Sequence, residues 1–293
     1  MTKILLYKYV GYFLSRSAFL FLLAVVPKAF AQNAPPAVTY QFAPVAQHSL
    51  QLTAAYWNPI LDYVSTKSGI RLNLRLARTS AETTASVIAG EADFAFTNHL
   101  FNPERASLGW KVFARRQAPK VSGQIIVPAE SPLRSLAELA GKEVAFPGPE
   151  ALVAYKVTYA QLLEKQVPVV PVFAGNLDGA FSLMLSGRAA AMGSNSQMVT
   201  EYAARENRKF RVLWSSNPFN DLALMVSPRV PAAAVKAVEK AFTTMHKDPL
   251  GRQILEGAAK AVQARDPISF VDASDADYAT YREFYRTAPA SLR

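Results

Sequence analysis

Few residues in this chain could do chemistry, and those few are scattered. His48, His99 and His246 are the only imidazoles among 293 residues, and cysteine is absent. A catalytic zinc needs ligands at short paired spacing, as in HExxH, and the three histidines stand far apart. Nucleophilic or acid–base catalysis needs a GxSxG turn, a thiol or a clustered set of titratable groups, and the sequence carries none of these. Catalysis is not expected, nor is a metal or a cofactor. Without thiols there are no disulfides, so core burial has to supply the stability.

The polar residues that remain suit the holding of a solute. His99 follows a short apolar run, in Thr97-Asn98-His99, where a loop at a strand end can face a ligand. Its imidazole can donate to an anion or be satisfied by local backbone, and both readings stand. Gly193-Ser194-Asn195-Ser196 likewise follows a short strand and either lets backbone approach a ligand or forms a plain loop. Tyr56 and Trp57 sit in a helical pattern, so at least one ring packs in the core while one can reach a cleft. Asp221 can accept from a ligand, cap a turn or pair with a residue of a crossing strand. Arg115-Arg116 could clamp an anion, but paired charges in a polar stretch read as solvated surface, and they are left out of the site.

The elements that position these residues alternate. Val38 to Phe42 reads as a strand, and the spacing of Leu52, Tyr56, Ile60, Leu61 and Val64 predicts a helix closed by Gly69. Arg71 to Ala77 reads as a strand, Thr79 or Ser80 caps a helix that runs to Gly90, and Ala92 to Phe96 is a third strand. A second set follows: strands at 123–127, 142–146, 167–173 and 189–192, helices at 135–140, 151–164, 178–186 and 197–206, then an extended run at 210–214. The apolar strand 222–227, helices at 232–245 and 248–258, and an aromatic helix at 276–286 complete the chain. Tyr278, Tyr281, Phe284 and Tyr285 in that last helix are expected to pack rather than bind. Such alternation implies α/β architecture in two lobes, with mostly parallel sheets flanked by helices.

At the N-terminus, Lys3, Lys8 and Arg16 precede the apolar run 17–26 and the small-residue triplet Ala29-Phe30-Ala31. This reads as a secretory signal cleaved after Ala31, because the run is shorter than the ~20 residues of a spanning helix. A soluble periplasmic product follows. The segment 1–31 holds four of the 32 basic residues and no acidic one, so its removal lowers the net charge from +10 to +6. The remaining excess is spread along the chain without a polybasic block, which leaves nucleic-acid binding unsupported.

Several segments carry a family resemblance in register. Tyr56-Trp-Asn-Pro-Ile-Leu61, Gly90-Glu-Ala-Asp-Phe-Ala-Phe96, Ser131 to Phe146, Phe173-Ala-Gly-Asn176 and Val212 to Asp221 resemble the phosphonate, phosphite and phosphate-binding proteins of ABC importers. The resemblance spans roughly residues 38 to 258. It implies a periplasmic-binding-protein clamp with two crossover strands, in which residues 32–122 plus 222–293 form one lobe and 123–221 the other. It also implies an anion held on backbone N–H groups at a helix start, which suits the unpaired donors and positive partial charge found there.

Site residues carry over unevenly. The hydroxyl-bearing turn of the family falls on Ala151-Leu152-Val153-Ala154, its histidine on Asn176, two of its tyrosines on Ser80 and Val121, and its ligand aspartate on Asp221. A pocket wall running through Glu150, Ala151 and Leu152 is more apolar than the family's, which argues against an aminoalkylphosphonate. The expected ligand is a small organic anion held by backbone amides with Ser80, Thr97, Asn98, Asn176 and Ser194 or Asn195, and with His99, Tyr56 and Asp221 as further candidates. The expected partner is the inner-membrane permease of an ABC importer, or alternatively a sensor kinase, with the chain itself a monomer.

Overall fold

The computed structural model describes residues 38–264 and 268–293, so the expected export segment 1–31 and the expected cleavage after Ala31 lie outside the described residues. The first part of the chain runs β1 (Thr39–Pro44), α1 (Leu50–Ser68), β2 (Arg71–Leu74), α2 (Ser80–Ile88), β3 (Phe94–Thr97), α3 (Pro103–Ala106) and β4 (Lys111–Arg116). The chain then crosses through residues 117–120. It continues as β5 (Val121–Pro128), β6 (Glu143–Phe146), a π-helical turn (Leu152–Val157) that leads into α4 (Thr158–Glu164), β7 (Val170–Phe173), α5 (Leu177–Leu185), β8 (Ala191–Asn195), α6 (Ser196–Arg205) and β9 (Phe210–Phe219). Residues 220–222 form the second crossing. After it come β10 (Ala223–Val226), α7 (Ala232–Thr244), α8 (Pro249–Val262), β11 (Phe270–Asp272) and α9 (Ala279–Thr287).

Two sheets result: a six-stranded one in the order β11-β4-β10-β3-β1-β2 and a five-stranded one in the order β7-β6-β8-β5-β9. The expectation of mostly parallel sheets needs correction at this level. Four of the nine strand pairings among the described residues are parallel, and each of the five antiparallel ones involves β5, β10 or β11. A βαβ unit forces parallel neighbours. β5 and β10, by contrast, each arrive from the other sheet, and run against strands already in place.

Local chemistry explains the elements nearest the cleft. In α1, the Ser49 hydroxyl accepts from the Leu52 N–H, and Gly69 ends the helix at φ 71° with its N–H on the Ser65 carbonyl. Trp57 turns inward onto Phe42 and Phe96, with ring centroids 4.7 and 5.1 Å away. Thr79, not Ser80, caps α2. The expected helix at 135–140 is only the 3-10 turn Ala137–Leu139. Strands β4 and β11 and helix α3 were not anticipated from the sequence. Two glycines let the π turn lie flat on the second sheet: a Cβ on Gly193 would stand 2.3 Å from the Ala154 carbonyl oxygen, and one on Gly123 would stand 2.7 Å from that of Val153.

Candidate functional site

The strand ends of both sheets and the starts of four helices meet in one cleft. The two halves touch across it. The Ser80 N–H donates to the Gly175 carbonyl at 3.1 Å, and the Ser49 N–H donates to Asp178 Oδ2 at 3.2 Å. Arg105 of α3 pairs with Glu150, and the Lys156 ammonium lies 5.0 Å above the Tyr285 ring. Between these contacts is a cavity of about 40 Å³. Val45, Ala46 and Gln47, Ser80, and Asn98 and His99 wall it from the first half. Pro147, Ala151 through Ala154, Leu177 and Asn195 close it from the second, and Leu222 of the second crossing completes it. None of these fourteen residues carries a formal charge at neutral pH when His99 is neutral.

Gln47, Ser80, Asn98, His99 and Asn195 give this cavity polar side chains, and helix starts add backbone dipoles. The first N–H groups of a helix have no intrahelical partners and carry positive partial charge. Residues at the starts of the Leu152–Val157 turn, α5, α6 and α2 all line the cavity. Burial pushes the His99 imidazole down to about 4, against the pull of nearby Glu150, so the ring is neutral. Its Nδ1 lies 2.8 Å from the Thr84 hydroxyl.

The candidates from the sequence separate into three groups. Ser80, Asn98, His99, Ala151, Leu152 and Asn195 line the cavity. Tyr56 stands one step away, at a gap of about 10 Å³ shared with Gln47, His48 and Arg116, and its buried hydroxyl has no hydrogen-bond partner. Others serve the scaffold. The Thr97 hydroxyl accepts from the His99 N–H at 3.0 Å, and Asn176 caps α5 through the Gly179 N–H at 2.8 Å. The Ser194 hydroxyl leans on the Asn195 carbonyl at 3.4 Å, and Glu150 is engaged by Arg105.

Asp221 takes the third of the roles open to it. Its Oδ2 accepts from Arg116 Nε at 2.9 Å and Nη2 at 2.6 Å, which ties the end of β4 to the second crossing. Arg116 is thus not solvated surface. It is only 6% exposed, also donates to Gln197 Oε1 at 3.1 Å, and lies over the Phe96 ring. Burial alone would lower its pKa, but Asp221 overcomes that and raises it. A larger hollow of about 240 Å³ lies beside this pair, under the first crossing, with Gln197 and Glu201 in its wall.

Sequence reasoning missed Gln47 and its neighbours, Val153, Ala154, Leu177 and Leu222 as wall residues, and Arg105 and Arg116 as cleft residues. The first could have been found by position, since Pro44 ends β1 and residues 45–48 must lie at the carboxyl end of a strand, where open α/β sheets bind ligands. The arginines carried no such signal.

Comparison with known proteins agrees with this geometry. The family model described as the phosphonate periplasmic substrate-binding protein of ABC transporters matches residues 42–278. Among solved structures, the binding-protein component of an ABC phosphonate transporter from Pseudomonas aeruginosa superposes with a TM-score of 0.73 at 14% identity, over 86% of this chain and 87% of that one. PhnD1 from Prochlorococcus marinus, in complex with methylphosphonate, gives 0.72 at 16% identity over 85% and 97%. A Xanthomonas citri protein solved with ATP gives 0.64 at 15% over 87% and 96%. At these identities the superpositions speak to the fold alone. No curated protein sequence matches. The family model covers well over half of the sequence, and on that ground the chain belongs to the periplasmic substrate-binding proteins of the phosphonate ABC transporter family.

Proposed function

We propose that the cavity between the two halves captures a small oxyanion-bearing solute, which the protein delivers to the permease of an ABC importer. One observation carries this reading: four helix starts converge on a cavity that has no carboxylate in its wall. The N–H groups of the Leu152–Val157 turn are the first contacts for the anion, with Ser80 and Asn195 at its sides. Residues 32–122 plus 222–293 and residues 123–221 act as the two lobes, and residues 117–120 and 220–222 are the hinge. The chain works as a monomer, after export by its N-terminal segment.

The size of the cavity limits the solute to a few heavy atoms in the closed state. The apolar wall at Ala151, Leu152 and Leu177 suits a short alkyl substituent, and no acidic residue in the wall awaits an amine. Isothermal titration of the purified protein against phosphonates, phosphate, carboxylates and neutral solutes tests the reading. Saturable binding of a small oxyanion is expected. Binding confined to neutral or cationic solutes would overturn it.

A further inference from the structure

The tyrosines near the C-terminus do more than fill a core. Ser274 opens this segment in a capping box with Asp277, which fixes where the 3-10 turn Asp275–Tyr278 and then α9 begin. The spacing of Tyr278, Tyr281 and Tyr285 sets three rings on one face, and all three are buried. They pack in one apolar cluster with Ala95, Val112 and Met225 of the first sheet and with Phe101 after β3. Phe101 stacks on Tyr278 with ring centroids 4.9 Å apart and meets Tyr281 at 5.0 Å. These contacts fasten the segment to the first half.

The same rings also reach the second half. Leu152, Val153 and Val157 of the π turn belong to that cluster, as does Phe219 at the end of β9. Phe219 meets Tyr281 edge-on at 5.4 Å, and the Lys156 ammonium stands 5.0 Å over the Tyr285 ring. Farther along, Ala160 and Leu163 of α4 share a hollow with Phe284, Thr287 and Pro289. The second crossing itself is gripped twice: Asn220 Nδ2 donates to the Asp277 carbonyl at 2.6 Å, and the Asn220 carbonyl accepts from the Tyr281 hydroxyl.

One short segment therefore holds the first sheet, the second crossing and the turn that walls the cavity. We propose that residues 274–293 form a strap across the two halves, which clasps Asn220 and the Leu152–Val157 turn together and resists their parting. This inference rests on the reading of residues 117–120 and 220–222 as a hinge. For the halves to open, the π turn has to leave the tyrosine face, which returns apolar surface to water at a cost that grows with the area uncovered. The hinge backbone also has to turn against the two bonds at Asn220.

The strap acts on the solute without touching it. Leu152 and Val153 line the cavity and also join the tyrosine cluster, so the wall stays in place only while the strap is seated. A solute shifts the balance of open and closed forms by its preference for the closed one. The strap sets the balance from which that shift starts. Where the closed form is the minor one, a looser strap weakens the apparent affinity by the same factor that it removes from the closed population.

The test reads the distance between the halves directly. The chain has no cysteine, so Ala81→Cys on α2 and Lys165→Cys after α4, both exposed, place one dye in each half. Single-molecule energy transfer then gives the ratio of open to closed molecules. Tyr281→Phe, which removes the hydroxyl from Asn220, and Tyr285→Leu, which removes the ring from Lys156, should each raise that ratio about fivefold over the labelled parent. Tyr63→Phe removes a hydroxyl bond of the same kind, 2.9 Å long to Asp248 within the first half, and should leave the ratio unchanged. If Tyr285→Leu fails to fold, Tyr281→Phe carries the test. An unchanged ratio in the strap variants, or an equal rise in Tyr63→Phe, would overturn the strap while leaving the hinge intact. A single fixed distance in the parent and in every variant would overturn the hinge, and the strap with it.

Discussion

The cavity and the Arg116–Asp221 pair are neighbours in one cleft, since Val45 and Gln47 touch both the cavity and the gap beside Arg116. Their chemistry is opposite. Around Arg116, full charges are buried and bound to one another, with Asp221 and Gln197 taking up its donors. Around the cavity no side chain is charged, and the polar groups are backbone dipoles and the neutral side chains of Gln47, Ser80, Asn98, His99 and Asn195. Charges that hold a structure are committed to partners in the same chain. On the proposed function, a site that must bind and release a solute works instead with groups that are not committed to such pairs.

Breaking the charged region should have the largest effect. Asp221→Ala leaves the Arg116 guanidinium buried without its counter-ion and should cost about 3–5 kcal/mol, read as a lower midpoint in urea unfolding. A loss under about 1 kcal/mol would mean that the pair contributes little. Replacing both residues with apolar side chains should recover much of that loss.

Acid should act next. His48 and His99 are both held down to about 4, chiefly by burial, against an ordinary value of 6.5. The unfolded chain therefore binds protons before the folded one does. Stability is complete above about pH 6.5 and falls as the pH drops toward 4, by up to ~1.4 kcal/mol per unit for each histidine. Below about 4 this contribution levels off. Urea midpoints measured from pH 7 to pH 4 should show the fall, and His99→Asn should remove part of it.

Binding sharpens the same comparison. A ligand at ~100 times its Kd should add about 2.7 kcal/mol to the stability of the native state. At this size that shifts Tm by roughly 5–10 °C in a thermal-shift assay. Gly193→Ala should disturb the cavity but not the charged pair, because the new Cβ meets the Ala154 carbonyl and both Phe146 ring edge atoms within 2.6 Å. A cost of ~1–3 kcal/mol is expected, with a weakened affinity. Smallest of all, Glu150→Gln removes a part-buried pairing across the cleft and should cost no more than ~1 kcal/mol, seen as a few-fold faster ligand release.

Much of the scaffold was legible because strand, helix and cap each leave a local mark. Gly69 and Gly90 stop α1 and α2, and Gly141 follows the Ala137–Leu139 turn. β4 was hidden because its three apolar residues, Val112 to Ala114, run directly into Arg115-Arg116, and nothing local says that the second arginine is buried by a residue 105 positions away. In the site, Ser80, Asn98, His99 and Asn195 were visible as polar residues at strand and helix ends. Their partners were not, since His99 meets Thr84 and the Asn195 oxygen accepts from the Met198 N–H. Those are facts of packing.

The turn at Leu152–Val157 is wound wider than the α4 helix it feeds. A π turn holds one residue more than the same length of α-helix. Deleting a single residue there would return the turn to ordinary α winding and remove the wider ring that Leu152 to Val157 now form. The segment would stay helical, while Val153 and Ala154 would leave the places their carbonyls now hold against Gly123 and Gly193. The shape of the cavity wall is therefore set by how the chain is wound as much as by which residues it contains.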